Sequence, residues 1–185
     1  VPGHGRSPRP GHRMPDWQAM ADSIARQIAC MSNGRPVMAV GHSMGGKLTV
    51  MTSIDSRVKA AAPSCGGISD RENDSEVFVR SICDPNSLRK IKCPIFFLSP
   101  ANDFHGRISD LPRAIEEIQS DDWRVTCSPH HNHQDTAPFE VATQLWFDQH
   151  LQGSFQIPGT PQTELTLQTE SGAPAISVTP DASRR

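Results

Sequence analysis

Residues 37–50 read VMAVGHSMGGKLTV, an apolar run of strand length, a glycine-rich kink, and then apolar residues at helical spacing. A buried strand that breaks at once into a helix is the building unit of a parallel sheet, whose strands need a crossover through a covering layer. The rest of the chain repeats that alternation. VKAAAP (58–63), CPIFFLS (93–99) and DWRVTCS (122–128) are further short runs, with CPIFFLS the strongest strand of the set. RPVMAV (35–40) has the unbroken apolar character expected of a strand covered on both faces.

The segments between them have helical periodicity. In PDWQAMADSIARQIACMSNG, Trp17, Met20, Ile24, Ile28 and Met31 share one face, with Asp16 as N-cap and Asn33-Gly34 as stop. Met44, Leu48 and Met51 recur at helical spacing after the kink, and Leu111, Ile115 and Ile118 do so in DLPRAIEEIQS. PFEVATQLWFDQHL is amphipathic through Phe139, Val141, Leu145, Trp146 and Leu151. SEVFVRSI and PNSLRKIK each suit a turn or two of helix. There is no internal repeat, and the sum is α/β, a mostly parallel sheet covered by helices over 1–151. Residues 152–185 differ in character, rich in Pro, Thr, Ser and Gln. There TELTLQT and AISVTP alternate in period two about ESGAP, which suits either a tail or the start of a β-rich domain.

Composition excludes several classes. A formal net charge of −2 offers no broad basic field to a nucleic acid, and no apolar run is long enough to span a membrane. The opening begins with valine and has no signal-peptide core, so the compartment stays open and the first residue is not expected to be the natural start. The five cysteines (Cys30, Cys65, Cys83, Cys93 and Cys127) lack a C-x-x-C pair, leaving one disulfide or buried thiols as alternatives.

Ser43 lies at the centre of G-H-S-M-G, between strand and helix. That sharp turn exposes a hydroxyl at a helix N-terminus, and the Met44 N–H beside it is a candidate oxyanion donor. A serine is a weak nucleophile unless a base takes its proton. Asp103, in the loop after CPIFFLS and sixty residues beyond Ser43, is the candidate acid; Asp110 and Asp135 are its rivals, with Asp110 the better helix cap. SPHHNHQD supplies His130, His131 and His133 after the last strand. His133 is the preferred base and His131 the second choice, because the base must reach back toward the turn. H-H-x-H with His105 also suggests a metal site, but sequential neighbours rarely converge on one ion. His4, His12 and His150 are expected at the surface, and Cys65 in SCGG as a buried thiol.

With Ser43, Asp103 and His133 in that order, the chain resembles the C-terminal part of an α/β-hydrolase. The opening VPGHGRS is similar to the loop after that fold's fourth strand, and GHSMGGK with DSRVKAAAPSCGG resembles bacterial carbohydrate esterases and dienelactone-hydrolase-like esterases. The resemblance covers residues 1 to about 151. It implies a serine ester hydrolase with no cofactor, acting on a small-molecule or carbohydrate-linked ester. It also implies that the first strands, and the loop giving the second oxyanion N–H, are not in this chain, leaving the 37–42 strand with an exposed edge. The rival readings are a serine peptidase of the prolyl-oligopeptidase type, a catalytically silent hydrolase-like binding protein, and a metal-dependent hydrolase. The brevity of 64–92 suits an open site; oligomeric state is not legible.

Overall fold

The computed structural model describes residues 17–68 and 75–181. Asp16, His4, His12 and the VPGHGRS opening lie outside those residues, as do the side chains of Trp17, Met20 and Ile24. In chain order the elements are α1 (Trp17–Ser32), β1 (Val37–His42), α2 (Met44–Thr52), β2 (Val58–Ser64), α3 (Glu76–Ser81) and α4 (Asp84–Leu88). They continue with β3 (Ile95–Pro100), α5 (Leu111–Glu117), β4 (Trp123–Ser128), α6 (Ala137–Phe147), β5 (Gln162–Thr166) and β6 (Ala175–Thr179). The first four strands form one sheet in the order β1-β2-β3-β4, all parallel. No helix among the described residues is long and apolar enough to cross a membrane.

Side-chain alternation builds a core on each face of this sheet. Ile95 and Phe97 of β3 and Ala61 of β2 point to one side, where Val50, Leu88 and Ala114 come from α2, α4 and α5. Phe96 and Leu98, with Ala60 and Ala62, point to the other, against Phe139 and Trp146 of α6. The alanines of β2 keep the central strand thin enough for helices above and below. Trp146 is fully buried and its ring lies 5.4 Å from that of Phe96. Its indole N–H has no hydrogen-bond partner among the described residues. That omission costs about 1–3 kcal/mol, less than the 3–5 kcal/mol or so that truncating a buried tryptophan forfeits.

Several expected faces are corrected by the packing. Among the described residues β1 is an edge strand, and Val40 is 58% exposed, so the strand is not covered on both sides. In α2 the buried residues are Gly46, Lys47, Thr49 and Val50, while Met44 and Leu48 face solvent. The helix must seat small groups against β2, since a Cβ on Gly46 would stand 2.5 Å from the Ser64 carbonyl oxygen. In α6 the stripe runs through Phe139, Ala142 and Trp146, leaving Val141 and Leu151 exposed. Met31 at the end of α1 is exposed as well. His150, expected at the surface, is largely buried: a π-helical turn over Asp148–Gln152 lays its ring 4.2 Å from Trp146, 3.6 Å from an Asp122 oxygen. Burial there pushes its pKa down against the pull of Asp122.

After α6 the chain stays attached to the core through Ile157, whose N–H donates to Gln149 Oε1 at 2.6 Å. β5 and β6 then pair as an antiparallel hairpin. Leu165, Ile176 and Val178 share one of its faces and are all exposed. The five cysteines are free thiols in the structure, with Cys65 and Cys83 buried.

Candidate active site

The last register positions of the sheet bring His42 opposite Ser64, Ser64 opposite Leu98, and Pro100 opposite Ser128. The carboxyl ends of the four strands therefore form one rim, where an open α/β sheet presents its ligand-binding loops. Ser43 follows β1 at that rim with φ 59° and ψ −119°. A serine in that region is strained by about 1–3 kcal/mol. Neighbours hold it there: its N–H donates to the Ser64 carbonyl at 2.8 Å, and its own carbonyl accepts from Lys47 N–H at 3.2 Å.

The turn is tight because two backbones nearly touch. A Cβ on Gly41 would lie 2.5 Å from the Gly45 carbonyl oxygen, whereas one on Gly45 would meet nothing within 4 Å. The two motif glycines therefore differ in kind. Gly41→Ala is expected to destabilise the fold by about 1–3 kcal/mol or more, as an overpacked backbone contact. Gly45→Ala, inside a helix, is expected to gain roughly 0.5–1 kcal/mol. Thermal denaturation of the two variants, side by side, checks the opposite signs.

His133 bridges the serine and an acid. Its Nε2 lies 2.6 Å from Ser43 Oγ, and its Nδ1 lies 2.9 Å from Asp103 Oδ1. With the proton on Nδ1, the imidazole donates to the carboxylate and accepts from the hydroxyl. The Asp103 side chain is fully buried. Burial alone would push its pKa up. The His105 N–H (2.7 Å to Oδ1), the His133 ring, the Gly106 N–H and the Cys65 thiol outweigh it and hold Asp103 below the usual carboxylate value. Asp103 is therefore an anion throughout the pH range in which an imidazole titrates.

The remaining candidates separate cleanly. Asp110 stands at the N-cap position of α5, and its carboxylate pairs with Arg107 at 3.1 Å. Asp135 pairs with His42 rather than with His133. His131 turns its Nδ1 to Ser128 Oγ (2.9 Å) and the Pro129 carbonyl (3.0 Å), so the loop histidines go to different partners. Met44 opens α2, which places its N–H among the amides that lack an intrahelical acceptor, directly after Ser43. Cys65 is buried, and burial pushes its thiol up to about 12, so it is protonated at neutral pH.

Among the described residues two donor sets have the spacing of a metal site, His42–Cys65–Asp135 and Cys65–Asp103–His133, each with ligand atoms within 4.8 Å of one another. Both draw on Cys65, and the second would use the His133 and Asp103 groups that are already hydrogen-bonded to one another.

Sequence reasoning missed four contributors. His105, which it weighed as a metal ligand, braces the acid loop: its ring Nδ1 is 3.0 Å from the Cys65 carbonyl oxygen. The Phe104 ring lies 4.5 Å from the His133 ring, tilted by 44°, and Phe104 is 66% exposed. His42 and Ser64 join Asp135 in a second polar cluster. The D-F-H-G run next to the acid was the available signal for the first two. A cleft of about 500 Å³ opens on the α6 side, lined by Val40, His42, Ser64, Asp135 and Phe139 among others, and Ser43, Asp103 and His133 are not part of its wall.

A strand–turn–helix serine, a buried acid and a histidine between them, on the carboxyl rim of a parallel sheet, define a hydrolase-type α/β protein. The alpha/beta hydrolase family model matches residues 1–180, and the chain belongs to that family. Solved structures agree on the fold. A monoacylglycerol lipase from Paleococcus ferrophilus superposes with a TM-score of 0.60 at 15% identity, over 81% of this chain and 81% of that one. An esterase of Pyrococcus furiosus gives 0.63 at 12% identity over 80% and 67%. An acetyl xylan esterase from Paenibacillus sp. R4 gives 0.56 at 17% identity over 80% and 61%, so the chain spans about three fifths of that enzyme. Among curated proteins there is no match.

Proposed function

We propose that the chain is a serine hydrolase of carboxylic esters, with Ser43 as nucleophile, His133 as base and acid, and Asp103 orienting the imidazole. The observation that carries this reading is the continuous hydrogen-bonded path from Ser43 Oγ through His133 to Asp103, 2.6 and 2.9 Å long in its two links. The catalytic unit is residues 1–151, with 152–185 appended to it.

In the acylation step Ser43 Oγ bonds to the acyl carbon as its proton passes to His133 Nε2. The imidazolium is stabilised by the Asp103 carboxylate, and the Met44 N–H faces the developing oxyanion. Collapse breaks the ester C–O bond, and His133 returns the proton to the leaving alkoxide. Water then gives a proton to His133, attacks the acyl carbon, and the Ser43–acyl bond breaks with the proton returning to Oγ. Every proton moves among Ser43, His133, water and substrate, so no cofactor enters the cycle.

The substrate is a small-molecule or carbohydrate-linked ester. Structural neighbours that are themselves esterases, among them acetyl xylan esterases, support the ester class. The exposed Phe104 ring beside His133 supports a short acyl or aryl group at the rim. Initial rates on p-nitrophenyl acetate, an acetylated xylo-oligosaccharide and a proline p-nitroanilide test it. Ester turnover that survives chelator and is lost to a serine-directed phosphonate is the expected pattern. Preferential cleavage of the anilide, or loss of activity with chelator, would contradict it.

A further inference from the structure

The loop from Pro129 to Thr136 carries His133 between β4 and α6 and contains little regular structure of its own. Upstream of His133 it is tied to the acid loop, through Asn102 N–H donating to the His131 carbonyl at 3.1 Å. Downstream the tie is Asp135. Its Oδ1 accepts a hydrogen bond from the Ser64 hydroxyl and lies 3.1 Å from His42 Nδ1. The same Ser64 accepts the Ser43 N–H on its carbonyl, and His42 is the residue immediately before Ser43. One carboxylate thus joins the loop of the base to both strand ends that fix the serine. The His42 ring also lies 5.0 Å from that of His133, limiting its sideways travel.

Asp135 has the wrong position for a core acid. Its side chain is 48% exposed and that of His42 34%, whereas Asp103 is fully buried. Exposed ion pairs add little to folding stability. A loss of registration between base and nucleophile, by contrast, slows chemistry steeply for displacements of an ångström or less. We propose that Asp135 is a positioning residue, a latch that holds the His133 loop in register with Ser43 through Ser64 and His42. The inference rests on the reading of Ser43 and His133 as nucleophile and base.

The test compares wild type with Asp135→Ala, Asp135→Asn, Ser64→Ala and the double alanine variant in the full chain. It follows p-nitrophenyl acetate kinetics, fluorophosphonate labelling and thermal denaturation. Asp135→Ala should lower kcat about 10- to 100-fold, with KM within about twofold and an unchanged melting midpoint. Asp135→Asn keeps an acceptor oxygen for the Ser64 hydroxyl and should recover most of the rate. The double variant should be no slower than Asp135→Ala, because both single changes open one contact. A kcat for Asp135→Ala within about twofold of wild type overturns the latch. So does a rate loss that follows the loss of folded protein and is not recovered in Asp135→Asn. A labelled wild type with an unimpaired Asp135→Ala sinks the latch alone, whereas a wild type unlabelled at Ser43 sinks the hydrolase reading and the latch with it.

Discussion

Ser43→Ala is expected to reduce ester hydrolysis by about 10⁴-fold or more while leaving the fold in place. In the proposed cycle the hydroxyl is the group that bonds to the acyl carbon, and it is the group that His133 Nε2 contacts at 2.6 Å. Without it the imidazole can at most activate water, which is neither anchored nor aligned by the turn. Alanine inherits the positive φ of 59°, so the strain at this position is unchanged and stability should move little. Initial rates on p-nitrophenyl acetate, with circular dichroism of the same samples, separate the two effects. A variant that keeps a tenth or so of the wild-type rate would assign the chemistry to another group, since losing a nucleophile costs far more than that.

The second large effect concerns stability. Lys47 Nζ lies 2.9 Å from Asp84 Oδ1, with side chains only 6% and 1% exposed, and joins α2 to α4 beneath the turn. The Lys47 ammonium also sits 5.1 Å from the centre of the Phe78 ring. Asp84→Ala takes the 2.9 Å carboxylate away from a buried ammonium, and is expected to cost about 3–5 kcal/mol. For a chain of this length the corresponding drop in melting midpoint is roughly 6–20 °C. Replacing both partners with apolar residues, as in Lys47→Met with Asp84→Leu, should restore much of the loss, because the buried charge is removed together with its carboxylate. A single Asp84→Ala variant that melts within a degree or so of wild type would show that water reaches the lysine.

The sheet and its serine were legible because their signals are local. CPIFFLS and VKAAAP are apolar enough to be central strands in any arrangement, and the G-H-S-M-G turn carries its own context of strand before and helix after. Asp103 and His133 each follow a recognisable strand, and the structure brings Asp103 and Ser43 onto the two nitrogens of the His133 ring. What periodicity could not supply was the side that each helix turns inward. In α2, backbone contact at Gly46 decides the matter and sends Met44 and Leu48 outward, although they are the larger apolar groups. In α6, Phe139 and Trp146 take the core and Val141 does not, because seven residues of spacing returns to one face and two does not. The Lys47–Asp84 pair and the Asp135–Ser64 contact join residues 37 and 71 apart in sequence, and no local pattern announces either. Asp135 in particular was visible only as a rival acid, since its actual partners lie on strands that precede it by a long stretch of chain.

The most direct test of the central claim is fluorophosphonate labelling of the folded protein, with the modified peptide mapped by mass spectrometry. The geometry predicts a single adduct on Ser43, lost in Ser43→Ala and slowed in His133→Ala, because the attacking oxygen needs the imidazole 2.6 Å away to take its proton. Folded protein that takes no label, or takes it at a residue other than Ser43, would contradict the assignment of Ser43, His133 and Asp103 as one catalytic unit.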